Sequence, residues 1–347
     1  MREGAARAAF ESQERWCTIL GSPFTARLVK LLGERIDRST AIGRRLLDWP
    51  GDPSPEADNV PARVTGALHY LVRRGAAPAL ASLYPPAPLA DDDALWAEVA
   101  PLLAAQEETV ASFLDRAPQT NEVGRSAVLM SGLLVAATAF PMPMRLFELG
   151  SSGGLNLLLD RYGYDLGGRR TGDPASPLQL RPQWTGPPPP AAEVGIAARA
   201  GVDLSPIDLA KDGERLLAFV WADQRERIAR LEAALAVAAA DPPPVAMGDA
   251  AEWLEKVLPA APREGVLSLV FHSVAYQYFP AATQRRIEAL MHLLGAQASA
   301  AAPLAWLRYE QQPGEPMHSL RLRLWPGQDR LLAWVHAHGA TVEWVGA

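Results

Sequence analysis

The chain has 347 residues, 49% of them hydrophobic and 21% charged, enough to bury one large or two ordinary domains and too apolar for a largely disordered chain. Its 33 lysines and arginines against 39 aspartates and glutamates leave a net charge of −6, which disfavours a protein whose affinity comes from neutralising nucleic-acid phosphates. The single cysteine, Cys17, allows no intrachain disulfide and no cluster of thiolate ligands, so a reducing cytoplasmic setting is expected, and no metal.

Glu3, Glu11 and Glu14 interrupt the N-terminus where a signal peptide needs an unbroken apolar core. The longest apolar run, from Val128 to Phe140, falls short of the ~20 residues that span a bilayer, so no membrane association is expected. Up to Pro141 the pattern is helical. Ser22 and Pro23 stand as cap and first-turn residues before FTARLVKLLGERI, and Pro61 opens PARVTGALHYLVRRG. Asp91 to Asp93 open a helix running through ALWAEVAPLLAAQEETVASFL, and Asn121 can cap EVGRSAVLMSGLLVAATAF. No strand is expected before residue 144.

At MRLFELG the period changes to a short apolar run ending in glycine, and SSGGLNLLLDRY after it reads as a tight turn entering a helix. Residues 163–192, rich in Gly, Pro and Arg and ending in Pro187 to Pro190, read as an insertion or mobile lid rather than a regular layer. Strands and helices then alternate. IAARAGVDL, PPVAMGD and GVLSLVFHSV read as strands. ERLLAFVWADQRERIARLEAALAVAA reads as one long helix, with AAEWLEKVL and TQRRIEALMHLLGA as further helices. PLAWLRYE, LRLRLW and ATVEWVG are later strands, and RLLAWVHAHG reads as a helix stopped by Gly339. The expected architecture is an all-α domain over residues 1–140, followed by a Rossmann-like α/β domain over 141–347: a mostly parallel sheet with helices on both faces.

Ligands of an open parallel sheet bind outside the carboxyl ends of its strands, which directs attention to Glu148-Leu149-Gly150-Ser151-Ser152-Gly153-Gly154. A phosphate loop would need a lysine, and a GxGxxG fingerprint from Gly150 would need glycines where Ser152 and Leu155 stand. Gly150, Ser152 and Gly154 do satisfy the hydrolase elbow GxSxG, so Ser152 is a nucleophile candidate, although the segments upstream are helical rather than strands of a hydrolase sheet. The start of the next helix offers N–H groups to a carboxylate or phosphate. Glu148, inside a buried strand, needs a partner, and a cationic amine would serve.

FELGSSGGLNLLLDRYGY, the preceding QTNEVGRSA and VFHSVAYQYF together resemble an uncharacterised bacterial family, domain of unknown function 2332, over nearly the whole chain. The glycine motif is similar to motif (E/D)xGxxxG of Rossmann-like S-adenosylmethionine (SAM) dependent methyltransferases, a likeness that covers residues 144–347, with Ser152 where glycine is usual. The resemblance implies SAM as cofactor, held by Glu148, Gly150, Ser152 and Gly154, and a small-molecule substrate. It also implies Asp203 on the ribose hydroxyls and Asp249 at the adenine amino group. The spacing 203 − 148 = 55 exceeds the about 20 residues of an ordinary unit by the insertion. Each acid has a plainer reading, Asp203 as a turn residue and Asp249 as a helix cap.

His272, at the end of its strand, is the expected general base, and a hydrogen-bonded structural histidine is the alternative. Asn121, Glu122 and Arg125 belong by resemblance to the most recognisable segment of the family and are expected to close over cofactor or substrate; their plainer roles are a cap, first-turn support and an ion pair. Arg308, Tyr309 and Glu310 are expected to line the pocket, with Tyr162 and Arg181 reaching it from the insertion. His336 and His338, two residues apart, would point to different faces of a helix and offer no metal spacing. Beside a methyltransferase, the readings left open are a serine hydrolase at Ser152, a SAM-binding module without catalysis, and an interaction protein on this fold.

Overall fold

The computed structural model of the chain describes residues 2–259, 264–312, 314–315 and 317–346. The chain forms two compact units, one of residues 1–120 with 211–229 and one of residues 121–210 with 230–347. The first is helical: α1 (Arg2–Ile19), α2 (Pro23–Arg35), α3 (Ala41–Leu47), α4 (Val60–Arg73), α5 (Pro78–Ala81), α6 (Asp92–Ala105) and α7 (Glu107–Leu114). Helix α1 buries Ala6, Ala9, Phe10, Gln13 and Cys17, a helical-period stripe that faces the core shared with Leu28, Leu32, Val64 and Leu68. Burial pushes the Cys17 thiol up to about 11, so it packs as a small apolar side chain.

One helix signal acts as expected and two do not. Asp91 does cap α6, accepting from the Ala94 N–H at 2.8 Å. Ser22 does not cap α2; its hydroxyl goes to Asp223, whose carboxylate also accepts from the Phe24 N–H at 2.9 Å and the Thr25 hydroxyl at 3.2 Å. The carboxylate of a distant residue thus does the capping. The single helix expected after Asp93 is two, broken at Gln106 after an internal Pro101 that has no N–H to donate.

The second unit begins with α8 (Arg125–Ala139), β1 (Met144–Leu149) and a 3-10 helix (Leu155–Arg161), where an α-helix was expected. Helix α8, grouped by sequence with the N-terminal helices, packs on the 3-10 helix and the later strands, and so belongs to this unit. The segment 163–192 is not an irregular lid. It holds β2 (Gly163–Leu166), β3 (Arg169–Gly172), β4 (Gln179–Leu180) and β5 (Gln183–Thr185), of which the first three form a small sheet in the order β3-β2-β4. Tyr162, Tyr164, Leu166, Leu178 and Leu180 are buried, and the Tyr162 and Tyr164 hydroxyls donate to the carbonyls of Leu155 and Leu159. These alternate apolar residues, masked in sequence by Gly and Pro, provide the burial that an open lid lacks. Tyr164→Ala should therefore cost about 3–5 kcal/mol in urea unfolding, and limited proteolysis should spare residues 162–180; a first cut there contradicts the assignment.

Beyond it come β6 (Ile196–Asp203), α9 (Leu209–Ala218), α10 (Arg225–Ala240), β7 (Val245–Met247), α11 (Ala250–Val257), β8 (Leu267–Ser273), α12 (Ala281–Gln297), β9 (Leu304–Gln311), β10 (His318–Trp325), β11 (Asp329–Val335) and β12 (Thr341–Trp344). The expected long helix over 214–239 is α9 and α10, interrupted where Asp223 turns to serve α2. RLLAWV is strand β11, not a helix: pairing with β10 on one side and β12 on the other overrides the helix preference of Leu and Ala.

These strands build a nine-stranded sheet in the order β5-β12-β11-β10-β9-β8-β1-β6-β7. Strands β7, β6, β1, β8 and β9 are mutually parallel, while β9 to β12 run antiparallel in succession. From β1 the chain moves outward through β6 to β7 and then returns to the other flank of β1 as β8. The order reverses there, so the crevice beyond the carboxyl ends of β1 and β8 is the topological switch point. On one face α11 and α12 cover Phe147, Val202, Val270 and Trp306, and on the other α8 and the 3-10 helix pack. No helix among the described residues is long and apolar enough to cross a membrane.

Candidate functional site

The register settles which side chains share a face. Glu148 lies beside Phe271 on β8 and Gly201 on β6, so these three point to the α8 side, and His272, next along β8, points to the α12 side. Glu148, expected to hold the cofactor, and His272, the expected general base, thus lie on opposite faces of the sheet.

Glu148 is 1% exposed. The Ser151 hydroxyl donates to the backbone carbonyl of Glu148 at 3.0 Å, and Oε2 of the carboxyl has no partner. Burial, reinforced by the nearby Asp203 carboxylate, holds this acid well above the usual carboxylate range, against the opposing pull of the polar Ser151 and Asn156 side chains and of Arg125. Asn156 in turn is bound by Ser126, whose hydroxyl lies 2.7 Å from its Oδ1. Neither Asn156 nor Ser126 was singled out from sequence. The available signal was one polar residue inside LNLLL, which in a buried run demands a partner.

After Glu148 the chain turns through Gly150 and Gly154, both left-handed at φ 72° and 76°, and through Ser152, which is forced to φ 53° without being glycine. Asp203 holds Ser152 there: its Oδ2 accepts the Ser152 N–H at 2.8 Å, while Oδ1 accepts that of Ser205 at 2.9 Å. The Ile207 N–H donates to the Ser152 carbonyl at 3.2 Å. The backbone amides expected to cradle an anion are largely engaged within the protein. Those of Gly150 and Ser151 donate to Val202, and that of Gly154 to Ser151. The Leu155 N–H, at the helix start, is taken by Asn121 Oδ1 at 2.9 Å. Asn121 therefore caps the 3-10 helix and not α8, which begins at Arg125 without a side-chain cap.

The segment 121–125 converges on the carboxyl ends of β8 and β11. Glu122 accepts the Gly124 N–H at 3.0 Å, and Arg125 donates to the carbonyls of Ser273 and Ala337, both at 2.9 Å. On the other face His272 is 1% exposed, with Nδ1 2.7 Å from Glu310 Oε1 and Nε2 without a partner. Tyr276 stacks on its ring at 4.7 Å. Glu310 Oε1 also accepts the N–H groups of Ala275 and Tyr276 at 3.0 Å each, tying down the loop after β8. Burial alone would raise the Glu310 carboxyl, but these hydrogen bonds and the His272 ring outweigh it and hold the acid below its usual range. His272 is thus built into a buried dyad beneath Tyr276.

The remaining expected residues scatter. Asp249 caps α11 through the Ala251 and Glu252 N–H groups at 2.9 and 3.0 Å and accepts from the Thr283 hydroxyl at 2.9 Å. Arg308 pairs with Asp329 and lies over the Trp306 ring. The Tyr309 hydroxyl donates to the His336 carbonyl. Tyr162 is a core residue, and Arg181 is exposed between β4 and β5. His336 and His338 sit in the turn between β11 and β12, not on a helix.

The fold and site therefore define an α/β protein with a glycine turn at the switch point of a mostly parallel sheet and an added helical unit. The chain belongs to the family described as uncharacterized protein conserved in bacteria (DUF2332), whose model matches residues 7–344. A search of curated proteins finds no match.

Proposed function

We propose that the glycine turn binds S-adenosylmethionine and that the protein transfers its methyl group to a small molecule. The observation that carries this reading is Glu148: a buried carboxyl with an unpartnered oxygen, near the end of β1, the middle one of the five parallel strands, directly before a left-handed glycine turn at the switch point. A ligand ammonium group meets the need of that oxygen, because a buried acid gains most from a cation it desolvates together with itself. The cofactor, when bound, supplies an electrophilic methyl group. Glu148 would hold its amine and Asp203 its ribose hydroxyls, while the engaged turn amides leave the backbone to shape the site and not to neutralise a phosphate. Burial beneath Tyr276 gives His272 and Glu310 the task of fixing the loop after β8, whose Ala275 and Phe279 lie against Gly150.

Asp203→Asn tests the reading, since asparagine keeps one acceptor for the Ser152 N–H but loses the charge offered to the ribose. A charged hydrogen bond contributes about 1.5–3 kcal/mol, so SAM affinity should fall at least about tenfold. A lower melting temperature with unchanged affinity would leave Asp203 as a clamp only.

One observation favours a second reading. Ser152 stands at positive φ in GxSxG with its Oγ buried and unpartnered, the posture of a strained nucleophile. No hydrogen bond joins it to a histidine among the described residues, which places the hydrolase second. Labelling of Ser152 by a fluorophosphonate, without SAM binding, would reverse that order.

A further inference from the structure

The sheet face that packs on α12 carries a cluster of arginines and tryptophans on β9 and β10. Arg321 lies directly opposite Arg308, and Arg323 opposite Trp306, so these four and Trp325 share one face. Trp325 is pinned from the helix side. A Cβ at Gly295 of α12 would come within 2.5 Å of its ring, and the His292 ring meets it edge-on at 5.9 Å. The Arg323 guanidinium lies over the Trp325 ring, 5.0 Å from its centre, and that of Arg308 lies over Trp306 at the same distance. Both arginines have a buried Nε without a partner. Stacking on a fixed indole thus sets the plane of each guanidinium and leaves its Nη edge to meet a ligand.

Like charges at neighbouring positions of a sheet destabilise it, so Arg308, Arg321 and Arg323 together call for negative charge. The chain supplies two carboxylates. Asp329 is the register partner of Arg323, yet it pairs with Nη2 of Arg308, and Glu315 accepts from Nη2 of Arg321 at 2.7 Å. Arg323 is left with the Trp325 ring and, among the described residues, no carboxylate. A ring contact occupies the face of a guanidinium and none of its in-plane N–H groups. Both Nη groups of Arg323 therefore remain to be satisfied, together with Nη1 of Arg308 and of Arg321. A planar carboxylate matches one guanidinium fork, whereas a tetrahedral oxyanion accepts from several directions at once. We infer that this face is a binding site for a phosphate group, seated on Nη1 and Nη2 of Arg323 and reached by Nη1 of Arg308 and of Arg321. The inference does not depend on the methyltransferase reading.

Calorimetry on the full chain at fixed ionic strength, with inorganic phosphate as probe and acetate as control, tests it. Phosphate should bind saturably and at least about fivefold tighter than acetate. Phenyl phosphate, run beside it, separates the two sources of the group: tighter binding of the ester marks a phosphorylated molecule, and equal binding the free ion. Arg323→Gln should weaken phosphate by at least about tenfold, as charged hydrogen bonds are lost. Arg323→Lys, which keeps the charge but not the planar fork, should weaken it by about three- to fivefold. Asp329→Asn, at an exposed position, releases Arg308 and should tighten phosphate by about threefold. Arg330→Gln removes the same charge from an exposed position whose register partner is the buried Leu322 of the other face, and should leave the affinity within about twofold. Absence of saturable phosphate binding to the native chain overturns the inference, as does unchanged affinity in folded Arg323→Gln or Arg323→Lys. So does an equal loss in Arg330→Gln, which would reduce the effect to overall charge, or a weakening by Asp329→Asn.

Discussion

Gly154→Ala is expected to lower the stability of the protein by about 2–5 kcal/mol and to remove SAM affinity. The backbone at residue 154 has φ 76°, which costs an L residue about 1–2 kcal/mol. The added Cβ would also meet Val245 Cγ2 at 2.7 Å and Pro243 Cβ at 2.9 Å, neither of them the end of a flexible chain. Relieving such contacts typically costs about 1–3 kcal/mol more. Gly168 supplies the control. It has φ 90° with nothing within 4 Å of its Cβ position, so Gly168→Ala should show the conformational cost without the crowding. Urea unfolding of the two variants measures the difference; equal losses would mean that the turn yields and that its tight seat on Pro243 is unimportant.

Glu148→Gln is expected to stabilise the protein at pH 8 while weakening SAM by about ten- to a hundredfold, the loss of one charged hydrogen bond. Because burial raises this acid above its ordinary 4.5, the native state keeps a proton that the unfolded chain releases, and stability falls as pH rises through that window. Below the ordinary value both states are protonated and the penalty vanishes. Glutamine does not titrate and keeps the shape of the side chain, so its melting temperature should exceed that of the native protein at pH 8 and match it near pH 4. A uniform loss at every pH would show that the carboxyl is needed for folding and is not held in reserve for a ligand.

The sequence revealed its architecture where period and composition act locally. The alternation of strands and helices after residue 144 and the helical run before it emerge in the fold because hydrophobic period is a local record of burial. Where partners come from far along the chain the reading failed. RLLAWV carries the composition of a helix and becomes β11 because β10 and β12 stand on either side of it. The insertion reads as loop because its few buried residues, Tyr164, Leu166, Leu178 and Leu180, are set among glycines and prolines. At the site, the glycine turn was visible as glycines at a strand end. That Asn121 caps the 3-10 helix follows from a contact across 34 residues of chain, and that His272 and Glu148 face opposite ways follows from register, in which a shift of one residue exchanges faces.

Binding of SAM to the unaltered chain by isothermal titration calorimetry tests the central claim most directly. The account predicts saturable binding with one molecule per chain, competed by the demethylated product of the cofactor, since both carry the same amine and ribose to Glu148 and Asp203. A folded protein that gives no binding heat at millimolar SAM and leaves its melting temperature unmoved would contradict it.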